Sequence, residues 1–113
     1  MDTVSKHKKI IREFMEYIAS ISPSSKDVEI QKIVDDSNGH YLMYSVGWEG
    51  MHWVYGSFVH IDVKPNGRVW IQHDGTDLNI AEELVQRGIP KSNIVIGFQA
   101  PHARPLMDEY AAA

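Results

Sequence analysis

The chain has 113 residues, a formal charge of -4, 43% hydrophobic and 23% charged residues, and no cysteine. A length and composition of this kind predict one domain over residues 1–113 with a modest core, and the acidic balance argues against nonspecific attraction to nucleic acid or anionic membrane. Without cysteine, disulfides, zinc–thiolate centres and thiol nucleophiles are excluded together, and a reducing, cytoplasmic setting is the natural expectation.

The opening "MDTVSKHKKIIREFMEY" is amphipathic and interrupted by charge, so it reads as neither a signal peptide nor a membrane span. Ile10, Ile11, Phe14, Met15, Ile18 and Ile21 recur at three- and four-residue steps, predicting a helix over about Thr3–Ala19. Lys9 with Glu13 and Arg12 with Glu16 suit its solvated side. "SPSSKD" breaks the helix, and a strand over about Val28–Val34 follows, closed by "DDSNG".

Two long strands come next, about His40–Trp48 and Met51–Val63, joined by a tight two-residue turn at Glu49 and Gly50. In that register Trp48 faces Met51, Val46 faces Trp53, Tyr44 faces Tyr55 and Leu42 faces Ser57, a side expected to lie on the core. "KPNG" then sets a three-residue loop: Pro65 presets the turn and Gly67 takes the left-handed bulge position. Val63 is placed opposite Val69, Ile61 opposite Ile71 and Val59 opposite His73; a slip of one residue would spoil the apolar match. Thr76 or Asp77 is the expected cap of a second helix carrying Ile80, Ala81, Leu84 and Val85. Gly88, Ile89 and Pro90 give it a left-handed stop. "NIVIGF" reads as a small strand or a packed extended segment. The predicted class is α+β: an N-terminal helix, a four-stranded antiparallel meander sheet, a second helix and a short C-terminal extended segment. Two helices can cover only one face of such a sheet.

"WIQHDGTD" concentrates polar chemistry at a strand end. The expected register sends His73 to the core side and leaves His60, Asp62 and Asp74 together outside, one imidazole and two carboxylates. That set falls short of a three-ligand zinc site or a two-histidine facial triad. A turn at Asp74–Gly75 with a helix cap at Thr76 or Asp77 accounts for the same residues without chemistry. The uncovered face is expected to display Tyr41, Met43, Val54, Phe58, His60, Asp62, Arg68, Trp70 and Gln72, a mixture suited to a protein interface. "SKHKK" with Arg12 reads as a solvated helix start, and neither a nucleophile-elbow serine nor a phosphate-binding glycine loop is present.

The segments "YSVGWEG", "VYGSFVHIDV", "GRVWIQHDGTD" and "NIAEELVQRGIPKSNIVIGF", spanning about Met43–Phe98, resemble the XisI family of controlling factors for excision of the fdxN element. The tail keeps Arg104 but departs from the family's usual close in "PLMDEYAAA". The resemblance implies an accessory protein acting with an XisH-like partner and, in the founding system, a site-specific recombinase in nitrogen-fixing cells of filamentous cyanobacteria. It carries over no catalytic residue. The resulting expectation is a non-enzymatic module without cofactor, binding an XisH-like protein through the open sheet face, with a second copy of itself as the other candidate partner for that face. Trp70 and Phe58 serve as its expected anchors, with Arg68, Asp62 and His60 setting orientation. The alternative is a metal-dependent hydrolase or nuclease using His60, Asp62 and Asp74.

Overall fold

The three- and four-residue apolar spacing near the N-terminus produces helix α1 (Thr3–Ile21), capped by Asp2, whose Oδ1 accepts the Ser5 N–H at 2.8 Å. The computed structural model describes residues 2–22, 25–106 and 109–113. Ile11, Phe14, Met15 and Ile18 are buried, whereas Ile21 is exposed at the last turn. The helix closes on Ser22, and the Pro23–Ser24 part of the expected break lies outside the described residues.

Strands β1 (Val28–Asp35), β2 (His40–Glu49), β3 (His52–Val63) and β4 (Val69–Asp74) form the antiparallel meander, followed by α2 (Ile80–Gln86) and β5 (Ile94–Ile96). The sheet order is β1-β2-β3-β4-β5, and β5 lies parallel to β4, pairing Trp70 with Val95. The sheet is therefore five-stranded and mixed, not the expected four-stranded antiparallel one. The reason is the connection: α2 supplies the crossover that a parallel neighbour requires. Arg12 and Glu16 turn from their helical neighbours to tertiary ones, Arg12 bonding Asp36 at 3.0 Å and Glu16 pairing with Lys32 of β1.

The β3–β4 turn follows its sequence chemistry. Lys64 N–H bonds the Arg68 carbonyl at 2.9 Å, Gly67 sits at φ +87°, and Val63 pairs with Val69 and Ile61 with Ile71. The β2–β3 turn is displaced: Gly50 and Met51 form its tip, and Trp48 pairs with Trp53 rather than Met51.

Two bulges then alter the faces. Phe58 is the extra residue between the Tyr44–Ser57 and Met43–Val59 pairs, and Gln72 is extra between the Ile61–Ile71 and His60–His73 pairs. Each extra residue reverses the alternation on one side of it. Below the first bulge, Tyr41 and Met43 join Val59, Ile61 and Val63 in the core; above it, Tyr44, Trp48, Trp53 and Tyr55 fall on the opposite face.

Both helices cover one side of the sheet, where Phe14, Ile18, Met43, Ile61, Ile71 and Leu84 share a continuous core. Each fully buried side chain of this size contributes about 1.5–3 kcal/mol of transfer free energy. The stop of α2 is as expected. Ile89 N–H reaches the Leu84 carbonyl at 3.0 Å and Gly88 N–H reaches that of Val85 at 3.1 Å, with Gly88 at φ +113° and Ile89 buried. The cap differs: α2 begins later than anticipated, and Asn79, at φ +58°, takes the capping position in place of Thr76 or Asp77.

Candidate functional site

The corner at Asp74 is a joint between strand and helix. Asp74 Oδ1 accepts from Thr76 N at 2.9 Å and from its hydroxyl at 2.6 Å, while Oδ2 accepts from Ile80 N at 2.9 Å. The carboxylate is spent on the loop and the first turn of α2. Asp74 pairs with Val59 of the core-facing row, so it is not gathered with His60 and Asp62 on the outer face. The bulge at Gln72 is the cause. It also exchanges the expected position of His73, which pairs with His60 instead of Val59 and is exposed instead of turned toward the core.

A different trio forms on the outer face. Ile61 and Val63 point into the core, so His60 and Asp62 point away from it; Tyr41 is likewise buried, so His40 shares their side. His40 stands directly opposite Asp62 across the β2–β3 ladder. His40 Nδ1 lies 2.7 Å and His60 Nε2 2.9 Å from the same oxygen, Asp62 Oδ1. Gln72 donates to the other oxygen at 3.2 Å, and Lys64 Nζ lies 4.0 Å from it. Asp62 itself is only 5% exposed. Burial raises its pKa, but the bonds from His40 and Gln72 and the neighbouring His60 outweigh that effect and hold it below the ordinary carboxylate value. His60, Asp62 and Gln72 belong to the expected face and His40 does not, because the displaced β2–β3 turn and the bulge at Phe58 together set His40 across from Asp62.

The same phase change revises the expected interface. Tyr41 and Met43 are fully buried, and Phe58 is half-buried against the core cluster, so none of the three presents the uncovered face. Val54 alternates with Trp53 and Tyr55 and so takes the helix side. Tyr41 lends its hydroxyl to Asp36 Oδ1 at 2.5 Å. Arg68 is drawn to the C-terminal part of the chain, donating to the carbonyls of Ala113 and Ser92 and to Asn93 Oδ1. Trp70 keeps its outer position beneath the Arg104 guanidinium, 5.0 Å from the ring centre; Arg104 also donates to the Gln99 and Gly97 carbonyls.

In their place, the outer face carries an aromatic group from the far end of the hairpin. Trp48 and Trp53 contact at 5.4 Å between ring centres, and Tyr44 and Tyr55 at 5.6 Å. Trp48 is 54% exposed, Trp53 48% and Tyr55 67%. The basic start of α1 is occupied internally: His7 is buried against the Gly67 carbonyl at 2.9 Å, and Lys8 bonds the Asp36 carbonyl at 2.6 Å.

Fold and face together define a small α+β protein whose helices shield one side of a five-stranded sheet and leave histidines and aromatic rings on the other. The family model for XisI protein matches residues 1–112, and the chain belongs to that family. The match extends well beyond the Met43–Phe98 stretch that carries the resemblance and takes in most of the divergent tail. A crystal structure of a XisI-like protein from Anabaena variabilis ATCC 29413 superposes with a TM-score of 0.91 at 38% identity, covering 97% of this chain and 99% of that one. A second, of the fdxN element excision controlling factor XisI from the same organism, gives a TM-score of 0.85 at 32% identity, covering 99% and 100%. No curated protein matches the chain. Among the described residues, no helix is long and apolar enough to cross a membrane.

Proposed function

We propose that this protein is a non-enzymatic accessory factor that works by binding an XisH-like protein through the outer face of its sheet, in element excision or a related process. The observation that carries the reading is the exposed group of Trp48, Trp53 and Tyr55, with the half-buried Tyr44 packed against it, on the side that neither helix covers. Large exposed aromatic surface is uncommon on a solitary protein, and Trp and Tyr dominate the energetics of protein interfaces. The name of the related structure, an excision controlling factor, supports a regulatory part rather than a chemical one.

His60, Asp62 and Gln72 lie on the same face, toward the other end of the β2–β3 hairpin. Trp70 shares that face on β4, under Arg104, and Arg68 holds the C-terminal residues. Coexpression with an XisH-like protein, followed by co-purification, is the direct test. Tyr55→Asp and Trp53→Asp are expected to abolish the complex while leaving the circular dichroism spectrum unchanged. An intact complex in both variants would remove the aromatic face from the interaction. Self-association of the chain alone, lost in the same variants, would instead assign the face to a second copy.

A further inference from the structure

We infer that His40, His60 and Asp62 form a binding site for a divalent cation of the zinc class. One nitrogen from each histidine and one carboxylate oxygen lie within 4.8 Å of one another. The two imidazoles converge on a single oxygen, at 2.7 and 2.9 Å. Ligands of a tetrahedral ion held at about 2.0–2.1 Å stand about 3.3 Å apart, so a movement of each imidazole nitrogen roughly half an ångström away from Asp62 Oδ1 makes room for an ion among the three ligand atoms.

The donor set decides the metal class. Two imidazoles and one carboxylate suit zinc and its neighbours, whereas magnesium and calcium take oxygen ligands. The Asp62 carboxylate only accepts, so each imidazole turns an N–H toward it. Binding needs those same nitrogens free of protons, which a shift of each proton to the other ring nitrogen provides. His40 has 47% of its side chain exposed, and so leaves that nitrogen a route to solvent.

The surroundings resemble those of a built site. Asp62 is buried on a face that is otherwise open, held between its cross-strand neighbours His40 and Trp70. Gln72 fixes the rotation of the carboxylate from its second oxygen, the part that outer partners of metal ligands play. Lys64 is the opposing charge; it lies by that second oxygen, away from the one the histidines share. Three protein ligands leave a fourth position of a tetrahedral ion open toward solvent.

The test titrates metal-free protein with zinc chloride by calorimetry and follows cobalt(II) by its visible absorption. The expected result is one ion per chain, bound with a tetrahedral cobalt spectrum. His40→Ala and His60→Ala each weaken zinc binding by at least about tenfold, and Gln72→Ala by about 10–100-fold. His102→Ala leaves it unchanged. His40 is half exposed, so its replacement keeps the fold, which circular dichroism verifies; Asp62→Asn is a second variant that retains the side-chain shape. Absence of zinc uptake by the native chain, or uptake indifferent to both histidine substitutions, would overturn the inference. None of these readouts depends on the XisH-like partner.

Discussion

Trp48 stands directly across the β2–β3 hairpin from Trp53, with ring centres 5.4 Å apart and ring planes inclined by 57°. Both rings remain about half exposed, so the pair stabilises the hairpin end only modestly. Trp53→Ala is expected to cost about 0.5–1.5 kcal/mol by urea denaturation. A much larger loss would mean that these rings are part of the core rather than a surface for a partner.

Tyr41 and Asp36 give stability a dependence at both ends of the pH range. Burial, then the bond to Asp36, raise the Tyr41 pKa above the ordinary tyrosine value. For Asp36 the Tyr41 hydroxyl is the largest influence and lowers its pKa; burial opposes it, and Arg12 and Lys8 assist the lowering. A raised tyrosine contributes stability below about pH 10 that is lost as pH climbs beyond it; a depressed aspartate contributes above about pH 4 and is lost as pH falls. Tyr41→Phe is therefore expected to cost about 1 kcal/mol near neutrality and to flatten both limbs in denaturation curves taken across pH.

His7 predicts a separate acid-side effect. Burial lowers its pKa, Lys6 adds to this, and the bond to the Gly67 carbonyl opposes it. The bond requires the proton on Nδ1, since a carbonyl only accepts. With the folded pKa depressed, the contribution of His7 is complete above about pH 6.5 and is lost as pH falls below it. The ring should titrate below that value by NMR, and His7→Gln should remove part of the stability loss between pH 7.5 and 5.5.

Arg104 ties the tail to the sheet. Its guanidinium covers Trp70 and donates to two backbone carbonyls within the preceding turn. Arg104→Ala is expected to cost about 1–2 kcal/mol and to change Trp70 fluorescence. Faster amide exchange should be confined to residues 97–106; exchange rates unchanged there would show that the tail is held by other contacts.

Local chemistry was legible wherever a residue's neighbours in sequence are also its neighbours in space. Pro65 and Gly67 announced the β3–β4 loop and the Val63–Val69 register, the spacing of Phe14, Met15 and Ile18 announced the buried stripe of α1, and Gly88 with Ile89 announced the end of α2. The adjacent apolar pair Phe58–Val59 was the one readable sign that alternation fails within β3. His7 gave no such sign, lying among lysines while its ring is buried.

The helices, the meander, the family and the polar residues His60 and Asp62 could all be read along the chain, because periodicity and turn stereochemistry act over a few residues. Which face each strand presents was settled by long-range packing. A bulge is placed by the packing of whole strands against the helices, and one extra residue sends Tyr41 and Met43 inward, Trp48 and Tyr55 outward, and His40 across to Asp62. The parallel addition of β5 was settled in the same way, by where α2 returns the chain to the sheet.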